Sequence, residues 1–304
     1  MSGPLRKDDA TVEPELDAPA AAVLELTPSR TAQVGGHQVR RALPRHHRRT
    51  VGAWCFVDHM GPATVTEAGA VGIGPHPHTG LQTVTWLLAG ELLHRDTLGS
   101  EQPIRPGQLN LMTAGHGVAH AEEATAYRGG FQGVQMWVAQ PERTRHDGPA
   151  FEHHAELPRV ELSRGIATVL VGALAGTASA ARRDTDLVGI DLDLWAGRTE
   201  MPVSASHEHA VVVLDGAVRI DGEVVTPGHL AYLGLGRDEL VLEADDPVRA
   251  LVLGGEPFES PLVMWWNFVA RTRDEVVAAT DAWNAADDRF GEVDGPPARP
   301  ELAE

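Results

Sequence analysis

Short runs rich in Val, Leu and Thr recur along the chain and end at Gly or Pro-Gly: Thr83-Val84-Thr85-Trp86-Leu87-Leu88, Gln108-Leu109-Asn110-Leu111-Met112 and Gly133-Val134-Gln135-Met136-Trp137-Val138. Short β-favouring segments bounded by turn residues predict strands, and their spacing suits a sandwich or barrel. A weak internal repeat points to two barrels. Leu88-Ala89-Gly90 followed by Pro106-Gly107 returns as Leu214-Asp215-Gly216 followed by Pro227-Gly228, in the same order and at nearly one offset. The boundary is expected near Gly148 to Leu157. Only one segment reads clearly as helix. Thr272 and Glu275 form a capping-box pattern, in which each side chain satisfies an orphan amide of the other, and Val276, Val277, Ala279, Thr280 and Trp283 give an apolar face over 273–286. Residues 1–25 read as a disordered leader and 292–304 as a frayed tail, since neither holds a sustained period.

Composition supports this picture. Gly (32) and Pro (21) exceed ordinary usage in 304 residues and favour many short elements joined by turns. With 42% hydrophobic and 22% charged residues the chain is globular, and no apolar run approaches the ~20 residues of a membrane span. The formal net charge of −18 opposes binding to a phosphate backbone, so direct nucleic-acid contact is not expected. A single cysteine, Cys55, cannot form an intrachain disulfide, and no secretion signal is visible, so a reducing, cytoplasmic setting is expected.

The candidate chemistry lies in two spaced pairs. In His76-Pro77-His78 the imidazoles stand two residues apart and share a strand face, and His120-Ala121-Glu122 repeats that gap with an imidazole and a carboxylate. Together they offer three imidazoles and a carboxylate. Such a set suits Fe, Ni, Cu or Zn, and the absence of thiolate argues against a closed structural zinc. Four protein ligands leave two octahedral positions open, as dioxygen chemistry or an enediol or catechol-like oxygen pair requires.

These residues resemble the pirin family. The similar segments are Val51 to Pro62 (VGAWCFVDHMGP), His76 to Thr85 (HPHTGLQTVT), His94-Arg95-Asp96, Met112 to Glu122 (MTAGHGVAHAE), Gly133 to Val138, and the stretch from Glu256-Pro257 to Phe290-Gly291. The resemblance covers roughly Leu26 to Gly291. It implies an all-β bicupin, two jelly-roll-like cupin barrels in tandem with a short C-terminal α-helix. The N-terminal barrel (26–150) would hold one Fe(II) through His76, His78, His120 and Glu122, with Mn, Ni or Co able to accept the same ligands; the C-terminal barrel (151–291, including helix 273–286) would carry none. Some relatives open the flavonol quercetin with O2, and animal relatives act as co-regulators of transcription factors. The resemblance therefore implies a dioxygenase acting on a small aromatic enol; the alternative is a non-enzymatic, metal-dependent regulatory module binding a protein partner.

Several residues outside that set carry expectations. Many pirins have Glu where this chain has Gln82, and a carboxamide cannot act as base, so Gln82 would orient a ligand, with His116 as a further substrate contact or a solvent-facing residue. His94 and Asp96 read as a buried hydrogen-bonded pair, Asp58-His59 as a packed turn, and Trp265-Trp266 as the cover of a barrel end. The basic cluster Arg40 to Arg49 reads as a solvated loop. In the second barrel, Pro202 and Ser204 fall at the places of His76 and His78, Leu240 to Leu242 near that of His120, and His207 and His209 read as loop residues.

Overall fold

Strand alternation explains why so many segments are apolar on both faces. In Ala210 to Leu214, the even residues Ala210, Val212 and Leu214 join one core cluster, while Val211 and Val213 join another. Leu251 and Leu253 divide from Val252 in the same way. One face fills the inside of a barrel and the other packs on the neighbouring barrel, so neither is polar.

The computed structural model describes residues 24–34, 37–66 and 72–294. Most of the expected leader and tail, residues 1–23 and 295–304, lie outside the described residues. The first barrel is built from β2 to β12, after a leading strand β1 (Glu25–Pro28). These are β2 (Arg30–Val34), β3 (His37–Leu43), β4 (Trp54–Val65), β5 (Ile73–His78), β6 (Leu81–Ala89), β7 (Leu92–Asp96), β8 (Glu101–Ile104), β9 (Leu109–Thr113), β10 (Val118–Ala124), β11 (Gly129–Ala139) and β12 (Ala150–His154). They form one sheet in the order β12-β9-β6-β11-β4-β3-β2 and a second in the order β5-β10-β7-β8.

The second barrel repeats the plan with β13 (Arg159–Leu162), β14 (Gly165–Val171), a small hairpin β15 (Ala173–Leu174) and β16 (Thr177–Ala178), then β17 (Leu187–Leu194), β18 (Gly197–Pro202), β19 (Glu208–Asp215), β20 (Val218–Ile220), β21 (Glu223–Val225), β22 (His229–Gly234), β23 (Glu239–Ala244) and β24 (Val248–Gly255). Its sheets run β1-β22-β19-β24-β17-β14-β13 and β18-β23-β20-β21. The repeated turns thus occupy equivalent places: Gly90 ends β6 and Gly216 ends β19, each the third strand of its large sheet. Gly216 has φ +75°, and a Cβ there would lie 2.5 Å from the Pro247 carbonyl oxygen, so this turn demands glycine.

The two large sheets pack against each other through the largest core cluster, which mixes Trp54, Val84, Trp86 and Met136 with Leu187, Val212, Leu251 and Leu253. Both ends of the described chain cross between barrels. Strand β1 pairs with β22 of the second barrel, whereas β2, directly after it, pairs with β3 of the first. At the other end, β25 (Val263–Trp265), β26 (Phe268–Ala270) and α1 (Arg273–Asn284) return to the first barrel and bury Val263, Trp265, Phe268, Val276 and Trp283 against Ala119 of β10.

The helix is shorter than the sequence predicts, ending at Asn284. Thr272 caps it by accepting from the Glu275 amide at 3.2 Å. The Glu275 carboxylate accepts instead from the Arg271 amide and pairs with Arg145, whose charged fork is the stronger partner. Val277, expected on the apolar face, is exposed; Val276, Ala279, Thr280 and Trp283 make that face. Among the described residues no helix is long and apolar enough to cross a membrane.

Candidate metal centre

Strands β5 and β10 pair antiparallel, with His120 opposite His76 and Val118 opposite His78. That register places three imidazoles on one inner face. Their ring centroids lie 4.4 Å (His76 to His120) and 5.0 Å (His78 to each of the others) apart, and all three are buried. Among the described residues, His76, His78 and His120 form the group whose potential ligand atoms all lie within 4.8 Å of one another. Glu122 is not in that group. The pairing slips between His120 and Glu122, so that two residues of β10 face three of β5, where Pro75 has no amide to give the ladder. Glu122 stays buried beside the triad, its Oε1 accepting from Thr85 Oγ1 at 2.9 Å.

Hydrogen bonds fix the tautomers. His76 Nδ1 donates to the Gly74 carbonyl at 2.8 Å, and His78 Nδ1 to the Asn267 carbonyl at 3.0 Å. Around His120 the chain is longer: His94 Nε2 lies 3.0 Å from Asp96 Oδ2, and His94 Nδ1 lies 3.4 Å from His120 Nδ1. With the His94 proton held on Nε2 by Asp96, His94 Nδ1 accepts and His120 Nδ1 donates. All three Nε2 lone pairs are therefore left free. Those of His78 and His120 face each other at 3.1 Å, a pair of acceptors that one ion bound to both would satisfy. Two neighbouring nitrogen ligands at ~2.1 Å from one ion at a right angle would stand ~3.0 Å apart. The donor set therefore fits a divalent metal.

Electrostatics agree with this protonation. Burial pushes His76 down to about 4 and holds His78 and His120 well below the ordinary imidazole value, and the neighbouring imidazoles act in the same direction. Neutral imidazole is the form that binds metal. Burial pushes the Glu122 carboxyl above its ordinary value, with Thr85 and the nearby His94 opposing.

The triad opens onto a cavity of about 280 Å³ lined by stacked Phe56 and Trp137, by Trp265 and Trp266, and by the buried Arg41–Asp58 pair. Arg30, Gln33 and Val34 of β2 form another part of its wall. A second cavity of about 240 Å³ adjoins it, and Glu122 lines both. Gln82 and His116 line neither. Gln82 shares its strand face with Val84 and Trp86, which point to the second barrel, and it donates to Thr113 Oγ1 at 3.0 Å. His116 is exposed, with Nδ1 2.9 Å from the Asp147 carbonyl oxygen. Pattern reading missed Asn267 and the β2 wall, which come from distant parts of the chain, and it missed the link from His94 to His120.

The paired barrels and the inward imidazoles define a bicupin with a candidate metal centre in its N-terminal half. Family models sharpen this: "Pirin" matches residues 36–138 and "Pirin C-terminal cupin domain" matches 189–291. The chain belongs to the pirin family. It is 44% identical to a Pseudomonas aeruginosa protein provisionally named a quercetin 2,3-dioxygenase, over 90% of this chain and 87% of that one. A pirin-like protein of Caulobacter vibrioides is 34% identical over 88% of this chain and 94% of its own length. The crystal structure of quercetin 2,3-dioxygenase from Acinetobacter baumannii superposes with a TM-score of 0.89 at 42% identity, covering 92% of this chain and 95% of that one.

Proposed function

We propose that this protein is a metal-dependent dioxygenase that opens flavonols such as quercetin, or a similar aromatic enol, with O2. The observation that carries this is the convergence of three free imidazole lone pairs on one point at the base of an aromatic-lined cavity. His76, His78 and His120 would hold the ion, with Glu122 as fourth ligand through Oε2, since Oε1 is held by Thr85. Iron is the ion we favour, and Mn, Ni or Co suit the same donors. When bound, such an ion supplies the one-electron chemistry that spin-restricted O2 needs.

The remaining work falls to the chain. Phe56 and Trp137 offer a flat apolar wall for an aromatic ring, and Arg41, anchored on Asp58 by two 2.7 Å bonds, stands over Phe56 as a polar landmark for ring hydroxyls. Glu122, whose carboxyl burial raises, is suited to take the proton of the incoming enol hydroxyl on Oε1, which keeps a lone pair beside its bond from Thr85, while Oε2 would face the ion. Trp265 and Trp266 shield the opening from water. The regulatory reading leans on the carboxamide at Gln82; since that side chain faces the second barrel, it does not favour a partner-binding role.

Metal content by plasma mass spectrometry on protein purified without added metal or chelator, then oxygen uptake with quercetin on the same sample, tests the proposal. About one metal per chain with quercetin-dependent uptake supports it. A chain that neither carries metal nor takes up added Fe(II) overturns it, and a loaded chain with no uptake overturns the flavonol substrate.

A further inference from the structure

Glu122 stands where two cavities meet. The second, of about 240 Å³, shares Val34, Val39, Met60 and Ile73 with the first as well as Glu122, and then continues between Leu92 and Phe131. Two irregularities in the strands shape it. β10 slips against β5 between His120 and Glu122, which sets Glu122 opposite Ile73. β4 slips against β11 in a similar way, since the three steps from Met60 to Ala63 match only two from Gly133 to Phe131. An odd step reverses which face a side chain takes, so Ala63 lines the cavity together with Met60.

Apolar side chains predominate in this space. Leu92 and Phe131 close its inner end and are buried, while Gln38 and Pro62 are exposed and form its rim. An apolar cavity of ~150 Å³ is enough to hold benzene. One of about 240 Å³ therefore takes a phenyl ring with substituents. Polar chemistry enters it from the side of the metal centre, through the carboxylate of Glu122.

A flavonol has a shape that uses both spaces. The carbon that bears its reacting hydroxyl adjoins the carbon that bears a pendant ring. With the hydroxyl directed at Glu122, the fused rings and the pendant ring lead away on different sides. The stacked Phe56 and Trp137 offer the fused pair a flat wall in the first cavity. We propose that the second cavity is the subsite for the pendant ring, so that the substrate is an enol carrying an aryl group on the carbon next to the reacting hydroxyl. This rests on the flavonol reading and narrows it, since a simple catechol or a bare hydroxychromone leaves the second cavity to water. Met60, half-buried and unbranched, borders both cavities and turns to admit the ring.

Binding to zinc-loaded full-length protein tests the subsite without turnover, because zinc has no redox chemistry. Calorimetric titration gives the Kd of 3-hydroxyflavone and of 3-hydroxychromone, which lacks the pendant phenyl. The parent is expected to bind 3-hydroxyflavone about tenfold more tightly or better, from the apolar area that the phenyl buries. Ala63→Trp fills the second cavity from a half-buried position. It is expected to remove most of that preference and to leave the Kd of 3-hydroxychromone within about twofold of the parent's. Equal affinities in the parent, or an Ala63→Trp variant that weakens both ligands alike, overturn the subsite and leave the flavonol reading standing. A parent that binds neither ligand overturns both. Should Ala63→Trp fail to fold, Ala63→Leu decides, with a smaller loss of preference expected and an unchanged preference counting against the subsite.

Discussion

His94 holds the orientation of His120: their Nδ1 atoms stand 3.4 Å apart, and Asp96 fixes the proton of His94 on its far nitrogen. A ligand's outer partner sets its tautomer and basicity. Asp96→Asn is expected to weaken metal binding at the three-imidazole centre by about 10–100-fold, measured by competition with a chromogenic chelator. Unchanged affinity would show that His120 needs no such support.

Acid should destabilise the metal-free protein. Burial depresses His59 to about 3, and His76 and His209 to about 4, so these rings stay neutral in the folded state while the unfolded chain protonates them below their ordinary 6.5. The unfolded state then binds more protons, and stability is lost as pH falls from 6.5 toward 4. Asp191 has the opposite sign: burial raises it to about 6, so its contribution is present at low pH and lost as pH rises through 6. With His78 and His120, which burial also depresses, the neutral imidazoles outnumber the raised carboxyls of Asp191, Glu122 and Asp58. Urea melts of chelator-treated protein should give a lower midpoint at pH 5.0 than at pH 7.5, and a higher one would contradict the neutral assignment.

The barrels are locked together by Trp54, whose Nε1 donates to the Val188 carbonyl at 3.1 Å and lies 3.2 Å from that of Gly254. Gly189 makes the room, since a Cβ there would stand 2.8 Å from the Trp54 ring. Gly189→Ala is expected to cost ~1–3 kcal/mol by overpacking, and Trp54→Ala ~3–5 kcal/mol, in denaturant titrations. If Gly189→Ala melts like the parent, the interface is not closely packed there.

Gln82→Glu should leave quercetin-dependent oxygen uptake within about twofold of the parent, because residue 82 faces the second barrel. It should still lower stability by ~1–3 kcal/mol, as a buried carboxylate replaces the amide that Thr113 accepts from. A large rise in turnover would mean that this side chain reaches the substrate after all.

On the helix, Val276→Ala should cost ~1–3 kcal/mol and Val277→Lys less than ~0.5 kcal/mol, since only the former is buried. Equal effects would place both on the packed face.

What could be read from the sequence was what repeats with a short period. His76 and His78 share a face because side chains alternate along a strand, and His120 meets them because β10 pairs with β5. The same rule failed at Gln82, where Thr79 and Gly80 separate β5 from β6 and reset which face an even-numbered residue takes. Val277 was misplaced because period 3.6 alone does not say where the neighbouring strands end. Asn267, Trp265 and Arg30 reach the cavity from far along the chain, and contacts over such separations leave no local pattern. The loop reading holds for His207, which lies in the bend just before β19, and fails for His209, because β19 begins at Glu208 between them.

The crossing of the two chain ends bears on how the protein is made. While the ribosome is still synthesising the second barrel, the first lacks β25, β26 and α1, and His78 has no Asn267 carbonyl to hold its proton. A nascent first barrel can present its imidazoles but not their final orientation, so the finished centre is a product of the complete polypeptide. The first half expressed by itself should expose the surface of Ala119 that α1 covers and fall short of the full chain's metal affinity.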